Sequence, residues 1–278
     1  MAERLAGKII VVTGASRGLG RHCAMGYGAE GATVIVVARS KVKSEGQSGT
    51  IDETVSLIEE AGGSAFPVVC DVADPDSIQS MVRTVLDKFG RIDVLMTNAV
   101  FYAPGTISTM DLSDWEFQFK VNVHGVFHAI RAVLPSMIDN RSGNIITISS
   151  IAAKKASHYS ATKSAVESTT NAFAAEQKCN GIAVNSLRPV AGIETPGWLN
   201  ARDAKSRQAR AHRLSPPDSY VEAAILLAMQ TPEDCTGQHL TDADVLKRFV
   251  GEDVFEHFKA MNAPVWAQES RGMEEREK

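Results

Sequence analysis

Tyr159 and Lys163 stand four residues apart in the run Tyr159-Ser160-Ala161-Thr162-Lys163, a spacing that puts both side chains on one face of a helix. A phenol with an ordinary pKa of about 10 exchanges protons poorly at neutral pH, and a neighbouring ammonium favours its ionised form. The pair can therefore perform acid–base chemistry on a polar atom brought to it. Ser149 and Ser150 precede it at the end of the β-rich run Asn144 to Ile148, where a hydroxyl could orient a carbonyl oxygen. An isolated pair of this kind is ordinarily a buried tyrosine beside a snorkelling lysine. A second constellation changes that reading.

Thr13-Gly14-Ala15-Ser16-Arg17-Gly18-Leu19-Gly20 follows directly on the apolar run Ile9 to Val12. Gly14 can turn sharply, Gly18 lets the main chain approach a pyrophosphate, and Gly20 lets the following helix pack close to a sheet. The free N–H groups at that helix start would face an anion. Glycines at this spacing also occur in ordinary turns, so the loop gains its meaning from the Tyr159/Lys163 pair downstream.

The elements that must position these groups alternate along the chain. The pattern predicts strands at 8–12, 33–37, 65–69, 92–96, 144–148 and 182–187, with helices at 18–29, 51–61, within 111–138 and near 157–178. Asp74-Pro75 supplies an N-cap and a first-turn proline for a further helix, whose Ile78, Met81, Val82, Val85, Leu86 and Phe89 mark one face. Another helix starts at Ser215-Pro216-Pro217 and ends near Gln230, and Thr236 to Leu240 reads as an edge strand. Such alternation predicts an α/β fold: a doubly wound, mostly parallel sheet of Rossmann type with helices on both faces. No composition break calls for a second domain. Residues 1–264 are expected to form a single dinucleotide-binding catalytic domain, and residues 265–278 a charged, disordered tail.

With these motifs in this order, the chain resembles the short-chain dehydrogenase/reductase family from about Gly7 to about Asp242. The matching residues are Thr13 to Gly20, Asp71-Val72, Asn98-Ala99, Asn122, Ser150, Tyr159 and Lys163. The resemblance implies hydride transfer between a nicotinamide and a ketone or secondary alcohol. Tyr159 would be the general acid/base, Ser150 would align the carbonyl, and Asn122 would support a water relay to Lys163. Lys163 would also hold the nicotinamide ribose and depress the Tyr159 pKa. The cofactor would lie on Gly14, Ser16, Arg17, Gly18, Leu19 and Gly20, with Arg39, Asp71, Val72, Asn98, Tyr159, Lys163 and Thr195 completing its site. Phe101, Tyr102, Ile151 and Trp198 would border the substrate, although they read equally well as core.

Charge bears on the choice of cofactor. An NAD-selective fold commonly ends its second strand with an acidic residue for the adenosine ribose. Here Ala38-Arg39 stands instead, and Arg39 with Arg17 could make charge-assisted contacts to a 2′-phosphate. NADP(H) is therefore favoured, with NAD(H) the alternative.

The chain also departs from the family pattern. Val100 replaces the glycine that commonly follows Asn98-Ala99, and Val190 stands where a glycine often follows the proline. The interval from Ser150 to Tyr159 is shorter than usual by about four residues, roughly one helical turn. These departures keep open an alternative, a catalytically silent nucleotide-binding sensor or assembly partner of the same fold. Thr236 to Asp244 weakly suggests the hydroxysteroid-dehydrogenase-like branch.

Ser40 to Thr50 reads as an enlarged polar loop, and residues 190–217 fall where the family places its substrate lid. The basic residues Arg202, Lys205, Arg207, Arg210 and Arg213 there suit a solvated helix or an anionic substrate. A net charge of −4 gives no reason to expect nucleic-acid binding. Cys23, Cys70, Cys179 and Cys235 are scattered and read as reduced thiols, and His124 and His128 lack a third ligand, so no metal is expected. No apolar run reaches the length of a membrane span, and no signal segment precedes the first strand, which makes the cytoplasm the expected location. Apolar residues such as Phe127, Val133, Val166 and Phe173 on the 111–138 and 157–178 helices point to a homodimer or homotetramer.

Overall fold

The computed structural model describes residues 3–39, 49–103, 105–154, 157–193 and 214–261. The six strands expected up to residue 188 all form: β1 (Ile9–Thr13), β2 (Thr33–Ala38), β3 (Ser64–Val69), β4 (Val94–Thr97), β5 (Gly143–Ile148) and β6 (Ile182–Arg188). With β9 (His239–Thr241) they make a seven-stranded sheet of order β3-β2-β1-β4-β5-β6-β9, parallel at every pairing. The strand order reverses between β1 and β4, and in such sheets ligands bind outside the carboxyl ends of the strands at that point. A separate two-stranded pair joins β7 (Gly192–Ile193) to β8 (Leu214–Ser215).

Helices α1 (Gly18–Ala29), α2 (Ile51–Glu60), α3 (Pro75–Phe89), α4 (Leu112–Phe119), α5 (Gly125–Asp139), α6 (His158–Gln177) and α7 (Asp218–Ala228) follow the expected pattern. In α3 the Asp74 side chain accepts from Asp76 N, Pro75 opens the helix, and Ile78, Met81, Val82 and Val85 are buried, as the stripe requires. Two apolar cores result, one on each side of the sheet. One packs α1 and α7 residues such as Tyr27 and Tyr220 against Val12, Val34 and Met96. The other packs α3, α5 and α6 residues such as Val85, Ile130 and Val166 against Val11, Ile35 and Leu95. Strand alternation sends successive residues to these two cores.

Three differences from expectation have physical causes. The edge strand occupies His239–Thr241 rather than 236–240, because Gly237 turns at a φ of +69° and Thr236 instead caps the neighbouring strand by accepting from Val184 N. Two helices follow it, α8 (Asp242–Phe249) and α9 (Glu252–Met261). The first starts on a reciprocal cap between Thr241 and Asp244. The long helix within 111–138 is continuous only through a π-helical turn at Lys120–His124, between α4 and α5. Such turns rearrange the local backbone ladder and often mark functional sites.

Residues 40–48, most of the 190–217 segment and the tail beyond 261 lie outside the described residues, as do Thr195 and Trp198. Among the described residues no helix is long and apolar enough to cross a membrane, and the four cysteines are unpaired.

Candidate active site

The glycine loop is knitted to the end of β4. Thr13 Oγ1 accepts from both Asn98 N and Ala99 N, at 3.0 and 3.1 Å. Asn98 Nδ2 donates to Thr13 O and Gly14 O at 3.0 and 3.2 Å. A Cβ on Gly20 would overlap the Asn98 amide, and one on Gly14, whose φ is +68°, would come within 2.8 Å of Ala99 Cα. These two glycines therefore serve the joint between the loops, and Gly18, at a φ of +58°, turns the chain into α1. Arg21 and Thr54 brace the loop from behind: Arg21 donates to Ser16 O at 2.6 Å and Thr54 Oγ1 to Ala15 O at 2.9 Å.

The residues present fit a dinucleotide. Arg17 caps α1 with extended backbone and without a side-chain hydrogen bond, which leaves the first N–H groups of the helix for an anion. Arg39 is exposed and Arg17 half-buried, and neither is engaged in an ion pair with a described residue. Asp71 and Val72, at the end of β3, are partly buried; the Asp71 carboxylate accepts from Ala73 N at 3.0 Å.

Tyr159 and Lys163 lie together as the helical spacing requires, with Lys163 Nζ 5.6 Å from the Tyr159 ring centre. Ser157 starts the helix by accepting from Ser160 N. The Lys163 ammonium donates to Ile148 O at 2.6 Å, and burial brings its pKa down to about 8 despite the carboxylate of Glu167. Burial, with Tyr102 second, holds the Tyr159 phenol above its ordinary range. The net shift thus runs opposite to the depression expected from Lys163, because burial outweighs it. A desolvated phenol loses more by ionising than an ammonium directed at a backbone carbonyl returns.

Asn122 sits on the π-helical turn, almost wholly buried. Its side chain clasps the backbone of Phe101, accepting from Phe101 N and donating to Phe101 O, both at 2.8 Å. It also donates to Thr162 Oγ1 on α6 at 3.3 Å. Phe101 packs edge-on to Phe117, and Tyr102, half exposed, leans on Tyr159 with ring centres 5.3 Å apart.

The two serines part company, as strand alternation predicts. Ser149 is buried and donates to Glu167 Oε1 at 2.7 Å, a carboxylate also paired with Arg188. Ser150 is partly exposed and accepts from Ala152 N at 3.1 Å. The short interval before Tyr159 runs through a 3₁₀ turn at Ile151–Lys154, tied to α6 by a Ser164 hydroxyl donating to Ala153 O. Partly buried Ile151 opens that turn, and no hydrogen bond joins Ser150 to Tyr159. Val100 is 53% exposed, so its β-branched side chain protrudes from the loop rather than filling the core.

Sequence reasoning missed Gln118, His158, Glu167 and Arg21 around this site. Gln118, His158 and Glu167 act through contacts distant in sequence, and Arg21 through the Ser16 carbonyl five residues before it; Glu167 also carried a local signal, four residues beyond Lys163 on the same helical face.

A glycine-rich loop at the reversal point of a parallel sheet, with Tyr159 and Lys163 beside it, defines a nucleotide-dependent oxidoreductase of Rossmann type. The chain belongs to the short-chain dehydrogenase/reductase family: the family model for short chain dehydrogenase matches residues 8–206. A 3-oxoacyl-(acyl-carrier-protein) reductase from Thermotoga maritima is 32% identical over 84% of this chain and 96% of its own. Glucose 1-dehydrogenase 2 from Bacillus subtilis is 31% identical over 86% and 95%. Among solved structures, a metagenomic short-chain oxidoreductase in complex with NADP superposes with a TM-score of 0.71 at 29% identity, over 86% of this chain and 97% of that one.

Proposed function

We propose that the protein is an NADP(H)-dependent carbonyl reductase or alcohol dehydrogenase acting on a ketone/secondary alcohol pair, with Tyr159 as its general acid/base. The observation that carries this reading is the pairing of Tyr159 with Lys163 on one face of α6, the Lys163 ammonium 5.6 Å from the phenol ring centre and held by Ile148 O. Ketone reduction needs a proton delivered to the carbonyl oxygen, and a protonated phenol supplies it. The cationic Lys163 then stabilises the phenolate that remains. When bound, the nicotinamide supplies or accepts the hydride.

Ser150, partly exposed beside the 3₁₀ turn, orients the carbonyl, while Ser149 is spent on Glu167. Gly14, Ser16, Arg17, Gly18, Leu19 and Gly20 hold the phosphates, Asp71, Val72 and Asn98 flank the adenosine side, and Arg17 with Arg39 read the 2′-phosphate. The exposed guanidinium of Arg39 and the NADP carried by the metagenomic relative support that choice. Phe101, Tyr102 and Ile151 border the substrate, and the surroundings are those of a cytoplasmic homo-oligomer.

The test is oxidation of NADPH and of NADH in the presence of a panel of ketones that includes 3-oxoacyl thioesters. Turnover with NADPH preferred supports the reading. Tight cofactor binding with no turnover on any member of the panel overturns it in favour of a silent sensor.

A further inference from the structure

We infer that His158 is a positioning residue that latches the substrate-bordering residues 101–103, together with Gly105, onto the first turn of α6 and so fixes Tyr102 over Tyr159; this rests on the reading of Tyr159 given above. His158 and Gln118 are both buried, at 3% and 0% exposure, and the hydrogen bonds around them leave one consistent arrangement of protons. Gln118 Oε1 accepts from Ala103 N at 2.9 Å, and Gln118 Nε2 faces His158 O at 3.4 Å. An amide turned the other way would set donor against donor at Ala103 and acceptor against acceptor at His158 O. Gln118 Nε2 is therefore the donor toward His158 Nδ1, 3.3 Å away. Nδ1 must accept, the ring proton sits on Nε2, and Nε2 donates to Gly105 O at 3.2 Å.

The segment is thus pinned at alternate residues: Phe101 by Asn122, Ala103 by Gln118 and Gly105 by His158. Tyr102, between the first two pins, has its ring 5.5 Å from the His158 ring and 5.3 Å from the Tyr159 ring. A buried histidine next to a proton-donating tyrosine invites the idea of a proton relay. Both of its nitrogens are already committed to fixed partners, which argues for a latch instead.

Tautomer and kinetics test this together. In nitrogen-15 spectra of the whole protein without substrate, His158 should show a bare Nδ1 and the ring proton on Nε2. Gln118→Glu, which turns the Nδ1 partner into an acceptor, should move a proton onto Nδ1. His158→Asn keeps an acceptor for Gln118 but cannot reach Gly105, so KM for the ketone should rise about tenfold while NADPH affinity changes less than about twofold. His158→Gln, whose amide can donate to Gly105 O, should restore KM to within about twofold of wild type. A proton on Nδ1 in the wild type overturns the latch, and so does an Asn variant with an unchanged KM. The tautomer is read without turnover, so a wild type that reduces no ketone overturns the proposed function while leaving the latch to be decided by the spectrum.

Discussion

Lys163 directs its ammonium at Ile148 O, 2.6 Å away, at the carboxyl end of β5, while its Nζ lies 5.6 Å from the centre of the Tyr159 ring. The strand end thus supplies the polar partner that a buried ammonium needs, and the helix supplies the phenol. The charge of Lys163 and the proton of Tyr159 depend on pH in a defined order.

Ketone reduction should be lost on the alkaline side. Lys163 is cationic below its pKa of about 8 and neutral above it, whereas burial keeps Tyr159 protonated well past that point. The pH profile of kcat/KM for reduction should therefore fall as pH rises through about 8, because that profile reports the free enzyme. Lys163→Arg, permanently charged, should flatten this limb even if its overall rate is lower. A wild-type profile that stays level through this range would refute the assignment.

Cofactor preference should reside in two guanidinium groups. Replacing Arg17 and Arg39 together by neutral residues should weaken NADPH far more than NADH, at roughly 1.5 to 3 kcal/mol for each charged hydrogen bond lost. Salt should erode the wild-type preference as well. Equal affinities for the two cofactors in the unmodified protein would remove the argument.

Asp242 should make stability depend on pH in the direction opposite to most carboxylates. Burial raises its pKa from 3.8 to about 6, against hydrogen bonds from Val190 N and Ser219 Oγ. The folded state holds this proton more tightly than the unfolded chain. Its contribution is present below pH 3.8 and is lost as pH rises through about 6, at most on the order of 3 kcal/mol. Thermal melts of the wild type and of Asp242→Asn over this interval should converge at the acid end and differ in slope. Parallel curves would show that Asp242 does not titrate there.

Assembly should be visible in light scattering. Phe127 is 38% exposed on α5, stacked near Phe173 of α6 and covered in part by Arg131. A second copy packed on this face would bury it, so a homodimer or homotetramer of the 29.9 kDa chain is expected at micromolar concentration. A monomer alone would contradict this.

Local pattern made much of this molecule legible. The β1–α1 glycine loop, the Asp74-Pro75 helix start and the Tyr159/Lys163 spacing each state their geometry in adjacent residues. The parallel sheet followed from the alternation of strands and helices. What escaped depends on contacts between distant segments or on backbone detail. The π-helical turn that seats Asn122 leaves no mark in a helical repeat, and the pairing of Gln118 with His158 needs the fold before the two residues meet. The α8 start was within reach, since Thr241 and Asp244 have the spacing of a reciprocal cap. Tyr159 shows the remaining limit: its partner Lys163 could be named from spacing, but not the burial that outweighs that partner.

The most direct measurement of the central claim is single-turnover reduction of a reactive ketone by Tyr159→Phe, alongside NADPH binding to the same variant. The ring is retained and the transferable proton removed, so the rate should drop about 10²-fold or more while the Kd for NADPH stays within about twofold of wild type. A Tyr159→Phe protein that reduces the ketone at a near-native rate would contradict the account.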